Sequence, residues 1–411
     1  MSDLNDQLGE DLARLRAEGL DRAIRTVDSP QGPRVAMDGR EFLNFSSNDY
    51  LGLANDPALR RAALEAIERY GVGAGASRLI CGNLRPYVEL ERKLSAFKAR
   101  ESAIVFGSGY AANVGTITAL VGKGDVVVLD KLDHASIIDG ARLSGATLRV
   151  YPHRNVKRLE GILGSHRDRA GVRAAPAGDR RPRILIITET VFSMDGDVAP
   201  LSEIVALKEK YGAWLMIDEA HATGLWGANG RGWAEEAEVE DRVEVTLGTL
   251  SKALGAAGGY VCGSPTLIDH LRHRARSLVY STALPPAVCA AAAAGVDLVM
   301  SEEGRVRRDR LRRNVGRLTA GLTAAGRQSE SRGPIIPIIV GEERAAMELS
   351  RKLYDAGVFV PAIRYPTVPR GQARLRVTVT AAHSPEDIDR FLAVLSAVAP
   401  GHGSRKLIRE R

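Results

Sequence analysis

Val245-Thr246-Leu247-Gly248-Thr249-Leu250-Ser251-Lys252-Ala253-Leu254-Gly255 is a β-branched and apolar run that ends in small hydroxyl residues, one lysine and a glycine, with more glycines at 258 and 259. Such a run predicts a buried strand that opens onto a cleft, with little bulk near Lys252 to keep a flat ring away. A lysine in that position can have its pKa lowered and become a nucleophilic amine. A lone lysine beside glycines is most often a surface residue, so the reading depends on what precedes it.

Working outward, Ser102–Phe106, Asp125–Asp130, Thr147–Tyr151, Arg183–Glu189, Trp214–Asp218 and Val243–Gly248 are apolar runs of strand length with helical patterns between most of them. Nearly continuous apolar runs imply strands covered on both faces, hence an α/β fold with a mainly parallel sheet and right-handed crossovers. Ligands of such sheets bind beyond the carboxyl ends of the strands. Each polar cluster of this sequence falls there.

The flanks are organised around that sheet. Leu8, Leu12 and Leu15 have helical spacing and predict an amphipathic helix docked on a larger body; Arg34–Phe45 reads as a hairpin around Asp38-Gly39. Asp56-Pro57 starts a helix that Gly71 ends, and Gly71–Arg78 is an irregular glycine-rich loop. The next helix presents Tyr87, Leu90, Leu94 and Phe97 on one face. After Pro285-Pro286 come an alanine-rich helix, a long basic helix, and strands and helices of a smaller α+β domain: Ile335–Val340, Ala345–Ala356, Val358–Ile363, Leu375–Val379 and a helix from Ser384. The expected domains are 1–45 (helix and hairpin), 46–284 (large domain), 285–399 (small C-terminal domain) and a tail, 400–411.

Composition bounds the function. With 411 residues, 45% hydrophobic and 26% charged, the chain has the make-up of a soluble globular enzyme. No apolar run spans a membrane and Met1–Asp11 lacks signal-peptide order, so a cytoplasmic address and no membrane partner are expected. Cys81, Cys262 and Cys289 have no metal-ligand spacing, which suggests neither a disulfide framework nor a metal site. The net charge of +7 sits largely in Arg167–Arg183 and Arg305–Arg317. No aromatics interleave these arginines, so nucleic acid is not an expected partner.

Four clusters carry chemistry. Phe106-Gly107-Ser108-Gly109-Tyr110-Ala111-Ala112-Asn113 joins a strand to a helix through glycines whose bare amides suit a phosphate; it is neither a dinucleotide fingerprint nor a P-loop. Asp130–Ser136 ends a strand with His134, which could lie flat on an aromatic ring. Thr188–Asp197 follows another strand end, and Ser193 can donate a hydrogen bond into the same cleft. Trp214–His221 ends a strand in Asp218, Glu219 and His221, a spelling shared with helicases; the lack of a P-loop removes that reading. A phosphate cradle, a stacking histidine, a carboxylate for a ring nitrogen and a nucleophilic lysine are what pyridoxal 5′-phosphate requires.

These residues resemble the α-oxoamine synthases of the fold-type I pyridoxal-phosphate enzymes, from about Arg22 to Leu395, on Asn44–Leu53, Gly73–Gly82, Ser108–Asn113, Ile217–His221, Thr249–Gly255 and Arg374–His383. The resemblance implies that Lys252 carries the cofactor and moves the substrate Cα proton. Asp218 would pair with the pyridine nitrogen, His134 would stack on the ring and His221 would bond its phenolic oxygen. Gly109, Tyr110 and Thr249 would hold the phosphate, with Ser193 beside the ring. Arg22, Asn48, Thr367 and Arg376, with His134, would contact substrate. A homodimer with a shared site is implied, in which Thr282 reaches the partner's phosphate. Pro366–Pro369 and Arg374–His383 resemble the member that condenses L-alanine with a pimeloyl thioester on the way to biotin. Members using glycine with acetyl-CoA, or serine with a long acyl chain, remain open, as does the carrier, coenzyme A or acyl carrier protein. The basic Arg167–Arg183 connection is a candidate grip for that carrier.

Overall fold

Asp38 and Gly39 both take positive φ, 51° and 69°, the backbone of a tight hairpin turn. Arg34–Met37 (β1) and Arg40–Asn44 (β2) pair antiparallel across it, as the Asp-Gly pair requires. The computed structural model describes residues 3–172 and 182–399; residues 173–181 of the basic connection and the tail 400–411 lie outside them. Two units make up the chain: Met1–Ser47 with Met194–Gly196 and Leu311–Arg411, and Asn48–Ser193 with Asp197–Arg310.

The second unit is built on seven strands, Ser102–Phe106 (β3), Val126–Asp130 (β4), Thr147–Tyr151 (β5), Ile184–Glu189 (β6), Trp214–Asp218 (β7), Val245–Thr249 (β8) and Gly259–Gly263 (β9). Their order is β3-β9-β8-β7-β6-β4-β5. From β8 to β5 every neighbour is parallel, whereas β9 runs antiparallel to β3 and β8. Strand β9, whose bracketing glycines hide it from a pattern reading, is the one addition to the mainly parallel sheet expected from sequence. The chain steps outward from β4 to β5 and returns to β6 on the other side of β4, which places a topological switch point at β4/β6.

Period-2 alternation assigns every side chain of these strands to one of two faces. Leu185 and Ile187 of β6, Met216 of β7 and Leu247 of β8 pack on one face with Ile117, Ile137 and Leu271, from helices Gly109–Leu120, Ala135–Ser144 and Pro265–Arg274. Ile186, Leu215, Ile217 and Val128 pack on the other with Leu159, Leu163 and Ile204, from Val156–Val172 and Leu201–Tyr211. The first of these two helices runs through Val172, so the basic connection expected over Arg167–Arg183 begins as helix.

The same alternation sorts the polar strand ends. Glu189, Asp218 and Thr249 continue the first face, and Asp130 the second. On the second face His153, after β5, sits between two carboxylates, with Nδ1 2.9 Å from Asp130 Oδ1 and Nε2 2.9 Å from Asp197 Oδ2. Arg154 donates its backbone N–H to Asp130 and its guanidinium to Asp197. Burial works against a charged His153 ring, but the two carboxylates outweigh it and raise its pKa to about 9.

Helix Pro57–Tyr70 starts on Asp56, whose side chain accepts from Ala58 N–H, and ends at Gly71 with φ 75°. Helix Arg85–Phe97 buries Tyr87, Leu90, Leu94 and Phe97, the face its periodicity predicts. Buried Lys98 follows it and pairs with buried Glu219 at 2.5 Å. Helix Pro286–Met300 is the alanine-rich one and Glu302–Ala324 the basic one.

In the first unit, Ile335–Gly341 (β10) pairs antiparallel with a later strand, Ala373–Thr378, and Val358–Phe359 (β11) lies parallel to β2. Ala362–Ile363 (β12) pairs antiparallel with Ala373–Thr378 (β13). The run Val358–Ile363 is therefore two short strands in different sheets; Pro361 between them has no N–H for a ladder. Helices Glu343–Asp355 and Pro385–Val398 complete this unit, the latter opened by a Ser384–Asp387 capping box. Helix Leu4–Ala17 forms where expected, but Leu4, Leu8, Leu12 and Leu15 are exposed in this chain rather than docked. Among the described residues no helix is long and apolar enough to cross a membrane.

Candidate active site

Asp218 is the last residue of β7 and is buried. Oδ1 accepts from Ala220 N–H at 2.9 Å and Oδ2 from Asn113 Nδ2 at 2.8 Å. Asn113 comes from helix Gly109–Leu120, which covers this face, and its amide also donates to Ser136 Oγ at 3.0 Å. Ser136 Oγ lies 2.8 Å from His134 Nδ1, and Ser136 N–H donates to the same nitrogen at 3.2 Å. An accepting Nδ1 leaves the proton of the neutral ring on Nε2. Loss of hydration lowers the His134 pKa below 6.5; Asp218 opposes that shift and Lys252 adds to it. A chain of hydrogen bonds thus joins the acid at the end of β7 to the imidazole after β4.

Across the sheet, β8 ends in buried Thr249 and leads through Leu250 and Ser251 to half-buried Lys252. Thr249 Oγ1 donates to Gly258 O at 2.9 Å and lies 2.7 Å from Ser251 Oγ. Opposite it, the helix starting at Gly109 is capped by Ser108, whose Oγ accepts Ala111 N–H. A Cβ on Gly109 would stand 3.6 Å from the Thr249 side chain, and one on Gly259 would lie 2.5 Å from Ser108 O and 2.7 Å from Gly109 Cα. The glycines let two backbone segments and a helix N-terminus meet at the end of β8, and free helix N–H groups there suit an anion.

The aminotransferase class I and II family model matches residues 40–395. An 8-amino-7-oxononanoate synthase from Geobacter sulfurreducens is 49% identical over 389 residues, 94% of this chain and 96% of that one. This chain belongs to the α-oxoamine synthase family, within the fold-type I pyridoxal-phosphate enzymes. A second 8-amino-7-oxononanoate synthase, from Thermoanaerobacter pseudethanolicus, is 46% identical to this α-oxoamine synthase, with 96% of each chain covered. Among solved structures it is similar to a serine palmitoyltransferase from S. paucimobilis with a bound PLP–myriocin aldimine: TM-score 0.88, 31% identity, 97% of this chain and 98% of that one. An 8-amino-7-oxononanoate synthase from Francisella tularensis gives a TM-score of 0.72 at 28% identity, over 87% of this chain and 97% of that one.

The other residues singled out in the sequence of this α-oxoamine synthase fall in both units. In the second, His221 Nδ1 lies 2.6 Å from Tyr50 Oη, which also donates to Asn48 Oδ1 at 3.1 Å. This joins three residues from two of the motifs. Ser193 is buried just beyond β6. Tyr110, half exposed, donates from Oη to Asp139 at 2.8 Å. Thr282 is exposed and bridges Ser77 in an antiparallel pair, which ties it to the glycine-rich loop. In the first unit Arg376 is buried in β13 opposite Pro337, Thr367 is exposed in a turn with its N–H on Arg364 O, and Arg22 is exposed. Among the described residues no group of three or more acidic, histidine or cysteine side chains could hold a metal.

The sequence reading missed Asn113, Ser136 and Tyr50 as parts of this network. All three lie in quoted motifs, and the available signal was a polar residue ending or facing an otherwise apolar element. The residues fit the cofactor of the family. Asp218 has both oxygens held by donors that fix its direction, the Gly109–Gly259 contact leaves a cradle that a Cβ would fill, and the Lys252 amine is near enough to His134 and Glu189 to act on both.

Proposed function

We propose that this α-oxoamine synthase performs the pyridoxal-phosphate-dependent decarboxylative condensation of L-alanine with a pimeloyl thioester, giving 8-amino-7-oxononanoate, carbon dioxide and the free thiol, in biotin biosynthesis. The observation that carries the reading is the set of relatives at 46–49% identity over nearly the whole chain, all 8-amino-7-oxononanoate synthases. The serine palmitoyltransferase structures, at TM-scores up to 0.88, favour a second reading with serine and a long acyl chain, but their identities stop at 34%. Backbone similarity reports the fold, and the larger share of identical side chains reports the chemistry, so the alanine reading takes precedence.

Bound pyridoxal phosphate supplies the electron sink that stabilises negative charge at the substrate Cα. Lys252 would hold the cofactor covalently through Nζ, and its free amine would take and return the substrate Cα proton. Asp218, kept in place by Ala220 and Asn113, accepts a hydrogen bond from the ring nitrogen and holds a positive charge there. His134 offers a neutral ring face, and His221, braced by Tyr50, a nitrogen for the phenolic oxygen. Gly109, Tyr110 and Thr249 take the phosphate, with Ser193 beside the ring. Arg376 binds the carboxylate that is lost, and Arg22, Asn48 and Thr367 contact substrate. The same proposal includes a homodimer in which Thr282 reaches the partner's phosphate, and a cytoplasmic address.

The test is an absorption spectrum between about 300 and 550 nm of protein supplied with pyridoxal phosphate, then titrated with L-alanine, glycine or L-serine. The expected result is a visible band that is lost in Lys252→Ala and perturbed at lowest concentration by L-alanine, with product formed from pimeloyl-CoA. A band answering first to serine or glycine moves the substrate assignment; no band overturns the reading.

A further inference from the structure

Buried carboxyl groups crowd the ends of β4, β6 and β7, and they are not equally supplied with donors. Asp218 receives two, from Ala220 N–H and Asn113 Nδ2. Asp133 also receives two, Oδ1 from Glu189 N–H and Oδ2 from Asp130 N–H, each at 2.9 Å. Glu189 is 3% exposed, and although the backbone N–H groups of His134 and Ser193 reach its carboxyl, its Oε1 has no hydrogen-bond partner among the described residues. Parallel register sets Glu189 directly beside Asp218, so both side chains leave the sheet on the face that helix Gly109–Leu120 covers.

We propose that Glu189 is held as a neutral carboxylic acid, a positioning residue that leaves Asp218 as the ionised partner of that strand-end pair and keeps a second negative charge away from Lys252. The inference rests on the pyridoxal-phosphate reading of this site. An anionic oxygen buried without a donor costs several times what a protonated one does, and two carboxylates side by side do not both ionise cheaply. Of the pair, Asp218 has a donor on each oxygen, whereas one oxygen of Glu189 has none among the described residues.

The surroundings agree. Burial, then Asp218, pushes the Glu189 pKa up to about 8; Lys252 and the backbone N–H groups of His134 and Ser193 oppose this without reversing it. Asp133, whose carboxyl burial also pushes well up, accepts the Glu189 N–H from the turn that follows β4. An ionised Glu189 would strengthen the hold of the Lys252 amine on its proton and weaken it as nucleophile and base. The neutral acid keeps the amine reactive near neutrality.

The test compares wild-type protein with Glu189→Gln and Glu189→Asp, each loaded with pyridoxal phosphate, by titrating the visible band with pH between about 6 and 9 and measuring kcat and KM for L-alanine. Glutamine has the shape and charge of a protonated glutamate. The expected result is a band midpoint within about 0.3 pH units of wild type in Glu189→Gln and kcat within about threefold, because no charge has been removed. Glu189→Asp, one methylene shorter, is expected to lose at least tenfold in kcat at similar KM. A midpoint lowered by about one to two units in Glu189→Gln, the size expected on removing a neighbouring unit charge, overturns the proposal by showing an ionised Glu189. Failure of Glu189→Gln to fold overturns it too, since amide for acid is the mildest exchange at an uncharged position. Wild-type protein that develops no visible band overturns the cofactor reading itself.

Discussion

Raising the pH through 9 should selectively loosen the second face of the sheet, at His153. The ring bridges Asp130 and Asp197 at 2.9 Å on each side, and its pKa rises from the ordinary 6.5 to about 9. A pKa raised on folding gives stability that is complete below about 6.5 and is lost as pH climbs through about 9. The shift corresponds to about 3 kcal/mol at 1.36 kcal/mol per unit. The His153 side chain is 23% exposed and Arg154 more so, so solvent screening brings the expected contribution to about 1–2 kcal/mol. Asp197 titrates in the opposite sense: burial tends to raise its pKa but His153 and Arg154 hold it below 3.8, and its contribution disappears only in acid. The assay is thermal unfolding of wild type and His153→Gln from about pH 6 to 10. The expected gap is a few degrees at pH 6, about 2–4 °C per kcal/mol for a chain of a few hundred residues, closing by about pH 10. A gap that stays constant across that range would refute the charged-histidine account.

Other consequences can be checked alongside. Asp218→Asn should keep the covalent band of bound cofactor while lowering kcat about a hundredfold or more, as expected when a preorganised charge is lost; steady-state kinetics at saturating cofactor decides it. Gly259→Ala places a Cβ against Ser108 O and Gly109 Cα, so cofactor affinity should fall and stability drop by about 1–3 kcal/mol, readable by titration of the visible band and by melting. Lys98→Met leaves the buried Glu219 carboxylate without its cation, held only by Ala234 N–H among the described residues, and should cost about 3–5 kcal/mol in urea unfolding. Tyr50→Phe removes the hydroxyl at 2.6 Å from His221 Nδ1; it should shift the pH midpoint of the cofactor band while leaving the fold intact by circular dichroism.

What could be read in the sequence follows from how local its causes are. Strand ends such as Asp218 and Glu189 are visible because apolar runs stop at them, and the Asp56-Pro57 and Ser384-Pro385 helix starts because caps act within one turn. Strand β9 was hidden because Gly259 and Gly263 owe their identity to neighbours outside the strand: Ser108 O, Glu244 O and Leu267 stand where their side chains would be. The Asn113–Asp218 bond spans 105 residues, and no periodicity announces such a contact. The leucines of helix Leu4–Ala17 show the converse, since spacing predicts an apolar stripe but not whether anything covers it.

The strand order β6-β4-β5 has a kinetic side. Residues 126–151 form two strands and a crossover that need little loop closure, but the partner of β4 on its other side arrives only with residue 184, and β7 and β8 must add in turn before Asn113 can meet Asp218 or Gly109 can meet Thr249. Long-range parallel pairing of this kind is slow to form. The candidate site therefore cannot exist in any partly assembled sheet. Recovery of a cofactor band during refolding should lag behind recovery of helix, marking the moment when the last parallel strand has closed in register.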